Sequence, residues 1–588
     1  MHRIRHMAVV ASMATTALLA SSLTPVAADT PAVSVTTSGG ATLDELVGHG
    51  GQTLQFGTPG QAHLIAQYAD LIPADAAHGS DPGTGAGGHA EYPGSVVLAA
   101  RNGVVAEYAA EGYNLRYADQ QGDELPRDQW IPTTTDTIYD LASLSKLFTT
   151  IVAMHMVDAG TLSLDATVAS YIPAFAQNGK AGITIRQLLT HTSGMPPDPS
   201  PPLWTYSSHQ QMVDAIYATP LQAEPGSTYI YSDINFITLQ FVEQTITGRA
   251  LDALVHDWIT GPLHMTDTMY NPPAALKYRI AAEEYQLVPD RGLVWGQVHD
   301  ENAWALGGVA GHAGVFSTAH DLAILCQTIL NGGQYGTTRI LSRDAVEQMM
   351  DHDPSIPGPD GLGFETYEHW LMGALATPFT IGHTGFTGTS LVIDPTTHSF
   401  VILLTNSVHP SRNWGSTNPS RRAVAYDLAR AIAVRPHQEG QAWFAGMADK
   451  SVTTLTLPLT LPASSTLSFQ LWYDTEPGYD FLRLQASTDG ETWSDVPFTI
   501  DGARLSEQTT GAISGYEGHQ WVQARADLSG WVGPVHLRWR YSTDNLYHGR
   551  GVYVDDVTVT SEQTTIFNDH RPTDQSMFRS DGWVRSTN

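Results

Sequence analysis

A chain of 588 residues is too long for one hydrophobic core, which rarely grows past about 250–300 residues, so more than one domain is expected. Its 59 acidic residues against 29 Lys and Arg give a net charge of −30, which argues against nucleic acid or anionic lipid as electrostatic partners. At 42% apolar residues there is material for real cores.

The first 28 residues have a basic start at Arg3 and Arg5, an apolar run over Met7–Leu23 and small residues ending at Ala28. This is the pattern of a secretory signal peptide. The competing reading is an uncleaved membrane anchor, but Thr and Ser interrupt the run and it is short for a span. The mature chain is expected to be secreted, with no membrane contact after cleavage. The one cysteine, Cys326, lies in the apolar helical stretch DLAILCQTIL and is expected to be buried packing.

Residues 29–89 read as a variable lead-in and a Gly/Pro-rich loop, HGSDPGTGAGGHAEYPG. Gly83, Gly85 and Gly88 have dinucleotide-loop spacing, but no strand precedes them and no helix opens on them, so the stretch reads as a plain loop. SVVLAARNGVVAEYAAEG predicts a hairpin turning at Asn102-Gly103. Helical periodicity follows over 144–159, 184–191, 209–218, 234–247 and 320–331. A second hairpin, TSLVIDPTTHSFVILLTN, turns around Asp394–His398, and SRRAVAYDLARAIAV predicts a closing helix. Strands at both ends with helices between predict an α+β unit over 90–437: one antiparallel sheet built from the two termini, with a helical insert packed on one side. From 438 to 562 short alternating strands predict an all-β sandwich of jelly-roll type. Val535, Leu537, Trp539 and Tyr541 should face inward, and His536, Arg538 and Arg540 outward. Residues 563–588 read as a polar, loosely ordered tail.

The chain has four lysines, and one of them, Lys146, sits on the apolar helix TIYDLASLSKLFTTIV. An isolated ammonium there is costly to bury. Ser143 lies three residues before it, and positions i and i+3 of a helix share a face with Cβ atoms about 5–6 Å apart. The amine then reaches the hydroxyl, and a low-dielectric site is expected to lower the lysine's pKa until it takes the serine's proton. The free N–H of a serine at a helix start can help hold an oxyanion. By itself the Ser-x-x-Lys spacing is near chance.

Two further stretches follow in order: PGSTYIYSDINFITLQ, with Tyr231-Ser232-Asp233, and IGHTGFTGTSLVID, with His383-Thr384-Gly385 before a strand. With them the chain resembles the serine β-lactamase and penicillin-binding-protein superfamily, in its class C-like branch, which includes D,D-carboxypeptidases, esterases and muramyl-peptide amidases. LLTHTSGM and GHAGVFSTAHDLA support the likeness, which covers residues 90–435. The resemblance implies that Ser143 is the acylated nucleophile and that Lys146 and Tyr231 share the general-base work. It implies that Asp233 holds the lysine and the substrate amide. The backbone N–H groups of Ser143 and Phe386 would form the oxyanion hole, and His383, Thr384 and Gly385 would line the substrate. Two departures shift the expectation from β-lactam cleavage toward esters and amides. His383 stands where β-lactamases have lysine, and there is no acidic deacylation motif of the class A kind.

RGLVWGQVHDENAWALGGVAGHAGVFS resembles a cell-wall branch of the same superfamily, and implies His299 and Asp300 near the substrate, with His312 structural. The spacing of His299, Asp300, Glu301 and His312 fits no standard zinc pattern. The Pro-rich loop MPPDPSPPLW is either a wall of the cleft or a plain surface loop. The C-terminal unit resembles the β-sandwich modules of secreted immune inhibitor A-type peptidases. Such modules can bind a glycan or a structural calcium, with Asp480, Asp555 and Asp556 as candidate ligands; the alternative is turn and edge-strand aspartates that hold no ion. No cofactor is expected for catalysis. The expectation is an exported serine hydrolase acting on a small-molecule or peptide substrate, an amide or ester such as a peptidoglycan-derived muramyl or D-amino-acid peptide. The alternatives are a β-lactamase or small-ester esterase and, from another class, a non-catalytic cell-wall or glycan-binding protein on this fold.

Overall fold

A computed structural model describes residues 34–36 (backbone only), 42–359 and 361–588. The expected signal peptide lies outside the described residues. Among them, no helix is long and apolar enough to cross a membrane.

The first unit is built on a sheet of eight strands among the described residues. Strand Ser399–Thr405 pairs antiparallel with Gly94–Arg101, which joins the two ends of this unit at the sheet centre. Gly94–Arg101 forms its hairpin with Val104–Leu115. Asn102 and Gly103 both take positive φ, 52° and 76°, as a tight primed turn requires. On the other flank Ser390–Asp394 and Ile381–Thr384 follow antiparallel, so the sheet ends close to His383-Thr384.

Both faces of the sheet are covered. Val96, Leu98 and Ala100 pack with the helical insert, in one core with Phe148, Ile151 and Leu325. Val97 and Ala99 pack the other way, against Ile72, Ala425 and Leu428. That second layer is made by helices Leu71–His78 and Asn418–Ala431. The insert itself packs on one face, as expected; the cover on the other face was not expected, and the continuous apolar run SVVLAA is the physical reason for it: every residue of that strand needs cover. The expected lead-in also turns out to be part of the fold, since Gln55–Phe56 adds a parallel strand and Ala62, Leu64 and Ala69 are buried. The insert helices fall where the periodicity put them, at Ser145–Asp158, Ile185–Leu189, His209–Ala218, Asp233–Thr247 and Ala319–Leu330. Cys326 is buried on the last of these.

The C-terminal unit packs two antiparallel sheets over one core. Val535, Leu537, Trp539 and Tyr541 point into it while His536, Arg538 and Arg540 do not. The expected tail is not loose. Thr564–Asn568 pairs with Gly551–Ser561, Arg579–Asp581 with Val452–Leu461, and Val584–Ser586 with Ala442–Phe444. Phe567 and Trp583 are the reason: within a polar stretch, these two aromatics are spaced to reach the sandwich core and are buried there.

Candidate active site

The turn that carries Ser143 is held from below by a buried carboxylate. Asp140 accepts the Ala142 N–H at 2.9 Å and the His299 N–H at 2.6 Å. Ala142 is thereby fixed at φ 47°, a left-handed conformation rare for alanine, directly before Ser143. A 3-10 turn over Ala142–Leu144 then runs straight into helix Ser145–Asp158, which puts Ser143 one turn from Lys146.

Lys146 is 0% exposed and fully paired. Its Nζ donates to Ser143 Oγ at 3.0 Å and to the His312 carbonyl at 3.3 Å, and sits 2.7 Å from Asp233 Oδ1. It also lies 4.8 Å from the centre of the Tyr231 ring. Burial alone would pull its pKa down, but the carboxylate of Asp233 and the oxygen of Tyr231 more than offset this and raise it overall. The expectation of a lysine neutralised by desolvation is therefore corrected: in the free protein Lys146 is an ammonium. Tyr231 is shaped by the same charges, with burial the main cause. Lys146 opposes it, Asp233 adds to it, and the phenol is pushed up to about 12.

The second motif is positioned by groups the sequence did not single out. His191, from LLTHTSGM, stacks on Tyr231 with ring centres 4.5 Å apart and accepts the Ser232 N–H at 2.9 Å. Burial and the charge of Lys146 hold its pKa far below the usual imidazole range, so it stays a neutral acceptor. Asp233 opens helix Asp233–Thr247. Its N–H donates to the Pro197 carbonyl at 2.8 Å, and the Ser232 hydroxyl donates to that of Pro196 at 2.6 Å. The Pro-rich loop is thus stitched to Ser232 and Asp233. Burial, with the charges of Asp233 and Asp300, pushes its Asp198 up to about 6.

His383 and Thr384 lie on the strand Ile381–Thr384. The His383 imidazole is paired with the Thr384 carbonyl at 2.7 Å, and burial and then Lys146 push its pKa down to about 3, so it is uncharged. After it the chain turns tightly. A Cβ on Gly385 would meet Thr389 Oγ1 at 2.1 Å and the Leu141 carbonyl at 2.3 Å, so only glycine fits. Thr387 and Thr389 donate to the carbonyls of Asp140 and Leu141, and Arg421 on the closing helix donates to those of Gly385 and Thr389. These bonds lock the turn to the loop that leads into Ser143. The N–H groups of Ser143 and Phe386 have no protein acceptor among the described residues. The Phe386 side chain is 59% exposed and stacks on His299, ring centres 5.8 Å apart.

His299 is buried against Glu284 at 3.1 Å. Asp300 caps helix Glu301–Ala305 and meets His312 Nε2 at 2.9 Å. Burial opposes the charge on both. Even so, His312 holds Asp300 below the usual carboxylate range, and Asp300 with Asp233 raises His312. Basic and acidic side chains thus alternate along Lys146, Asp233, His312 and Asp300. His312, read from sequence as structural, touches Lys146 through its carbonyl.

The three aspartates expected to share a calcium do not come together. Asp480 lies with Glu476 and Asp544, their carboxylate oxygens within 4.8 Å of one another. Asp555 and Asp556 lie on the strand Gly551–Ser561, beside His437 and His570. Sequence adjacency suggested the pair, but strand pairing carries them to a different place.

A serine whose hydroxyl is held by a buried lysine, beside a tyrosine and under a glycine turn with open N–H groups, defines a serine hydrolase. The Beta-lactamase family model matches residues 64–426, and the chain belongs to that family. A model for the immune inhibitor A-like MAM domain matches residues 413–588. The chain is 36% identical over 348 residues to an Escherichia coli K12 protein named "Putative D-alanyl-D-alanine carboxypeptidase", covering 54% of this chain and 79% of that one. A Salmonella enteritidis protein of the same name is 35% identical over 361 residues, 56% of this chain and 82% of that one. Among solved structures it is similar to a penicillin-binding protein homologue from Caulobacter crescentus, with TM-score 0.47, 19% identity, and coverage of 62% of this chain and 97% of that one.

Proposed function

We propose that the chain is an exported hydrolase that cleaves an amide or ester through an acyl-enzyme on Ser143, with a peptidoglycan-derived D-amino-acid or muramyl peptide as its substrate. The observation that carries the mechanism is the 3.0 Å contact of Lys146 Nζ with Ser143 Oγ. Ser143 Oγ attacks the carbonyl carbon, and its proton passes to the Lys146–Tyr231 pair. The pair acts as base once it has lost one proton, as amine with phenol or as ammonium with phenolate. The N–H groups of Ser143 and Phe386 receive the oxyanion, which is worth roughly 10²–10³ in rate per donor. The pair returns its proton to the leaving group, and water then releases the acyl group by the reverse path. The substrate class is supported by the relatives named as carboxypeptidases. A neutral His383 supplies no charge for a substrate carboxylate, and this favours a second reading, a neutral small ester.

The test is a panel of nitrocefin, p-nitrophenyl acetate, a D-Ala-D-Ala peptide and a muramyl peptide, against the protein and Ser143→Ala. Release of D-Ala or cleavage of the muramyl peptide, lost in Ser143→Ala, is expected. Turnover of the p-nitrophenyl ester alone moves the assignment to the second reading, and activity that survives Ser143→Ala overturns both.

For the sandwich we propose a structural calcium on Glu476, Asp480 and Asp544. The donor set fits a hard cation: Asp480 Oδ2 and Glu476 Oε2 are buried without a hydrogen-bond donor.

A further inference from the structure

A cleft of about 550 Å³ opens between the hydrolase sheet and the sandwich. It is lined by the turns of the two sheet hairpins, the linker after the closing helix, and sandwich residues around Trp472, His519 and Trp521. It is remote from Ser143. Thr384 pairs with Ser390, which pairs with Leu403, which pairs with Val97, whereas Arg101 lies four residues further along that last strand, about 13 Å at 3.3 Å per residue.

Three arginines meet there: Arg101 from the sheet, Arg435 from the linker and Arg550 from the sandwich. In a chain of net charge −30 this is a local reversal of sign. Their visible bonds go to carbonyls rather than to acids. Arg101 donates to Thr397 and His63, and Arg550 to Ile432. None of the three forms an ion pair among the described residues. Two carboxylates feel these arginines: Asp394 already accepts from Thr396 and Thr397, and Glu517 is fully buried, which pushes its pKa well above the usual carboxylate range. The arginines therefore feel one another. Burial, with the charges of Arg550 and Arg435 against that of Asp394, pulls the Arg101 guanidinium down to about 10. Each guanidinium has five donors in a planar fork, so most remain free for an anion. Beside them Trp521 lines the cleft, half-buried against the cluster of Val434, Trp472 and Tyr553, with its indole N–H spent on the Arg435 carbonyl at 3.0 Å, so it meets a ligand through apolar ring surface.

We propose that this cleft is a second ligand site that takes an acidic sugar, its carboxylate on Arg101, Arg435 and Arg550 and its ring against Trp521. A cluster of cations beside a flat apolar face matches a pyranose carrying a carboxylate, and the volume suits one or two sugar units. Such a ligand touches both units at once and so ties them together.

The experiment is isothermal titration of the full chain, carrying Ser143→Ala, with an oligogalacturonate, with neutral chitopentaose and with inorganic phosphate. The oligogalacturonate should bind and weaken with added salt, and chitopentaose should not bind. Arg435→Glu, at an exposed side chain, should weaken binding at least tenfold, while the same change in the Ser143 protein leaves ester hydrolysis unchanged. Arg550→Gln, with its melting temperature checked, is the second variant and should weaken binding too. No binding of oligogalacturonate at millimolar concentration, equal binding of the neutral sugar, or binding indifferent to both variants overturns the proposal. Phosphate binding as tightly as the oligosaccharide overturns its sugar part.

Discussion

A buried lysine 2.7 Å from a carboxylate is a different acid from a buried lysine alone, and the chemistry of Ser143 turns on that difference. Desolvation removes the charge from an isolated ammonium, whereas the Asp233 partner restores it. The Lys146–Tyr231 pair, with both members raised, gives up its proton only as pH climbs, so the rate should rise through and above neutrality. Replacing Asp233 with asparagine removes the charge that raises both groups. The rising limb of kcat/KM against pH in Asp233→Asn should therefore move down by about 1–3 units, the range an opposite charge at this distance commands. A limb that stays put would mean the titrating base is some other group. The candidate nucleophile and lysine were legible in the sequence because three residues of helix bring them together whatever the rest of the chain does. His191, Asp140 and Arg421 were not, because nothing local marks a histidine, an aspartate or an arginine that acts through bonds to distant carbonyls and amides.

At the scale of elements, the turn after His383-Thr384 is the part with least tolerance. It is sealed against the loop before Ser143 by two threonine hydroxyls, and Arg421 holds the turn's own carbonyls. Gly385→Ala would drive a methyl into the Leu141 carbonyl, 2.3 Å away. The expected cost is about 1–3 kcal/mol of stability from overpacking. The expected loss of kcat is about 10²–10³, because the Phe386 N–H leaves its place. Thermal melting together with acylation by a fluorophosphonate probe would measure both. Wild-type labelling at wild-type stability would show that the turn is free to move. Helix positions were read correctly because helical periodicity is local. The second helical layer was missed because its first member, Leu71–His78, has little amphipathic contrast and follows a Gly-rich lead-in.

For the whole molecule, the sandwich holds a pH-dependent weakness. Burial is the main cause that pushes Asp480 up to about 7 and Glu476 up to about 8; the charges of Asp544 and Asp449 add to both, and that of Asp480 adds to Glu476. Unfolded, these groups titrate near 4, so between about pH 4 and 8 the native state holds more protons than the unfolded one. Stability contributed by the protonated pair is thus present at low pH and lost as pH rises through 7 to 8. A bound calcium would take the place of those protons. In EDTA the melting temperature should fall between pH 5.5 and pH 8, and excess calcium should restore it at pH 8 with little effect at pH 5.5. Melting curves that coincide with and without calcium at pH 8 would remove the metal from the account.

By itself the sequence determined what local spacing and periodicity can determine: the Ser-x-x-Lys turn, the insert helices, the primed hairpin at Asn102-Gly103 and the inward face of Val535–Tyr541. Order along the chain carried the family, since three motifs in sequence are hard to meet by accident. What only the tertiary structure decided are the properties set by partners far away in the chain. The charge on Lys146 depends on Asp233, and the separation of Asp480 from Asp555 and Asp556 depends on strand pairing. The last residues are ordered because two aromatics find a core they do not themselves build. Electrostatic energy and burial depend on distance through space, and distance along the chain does not give it.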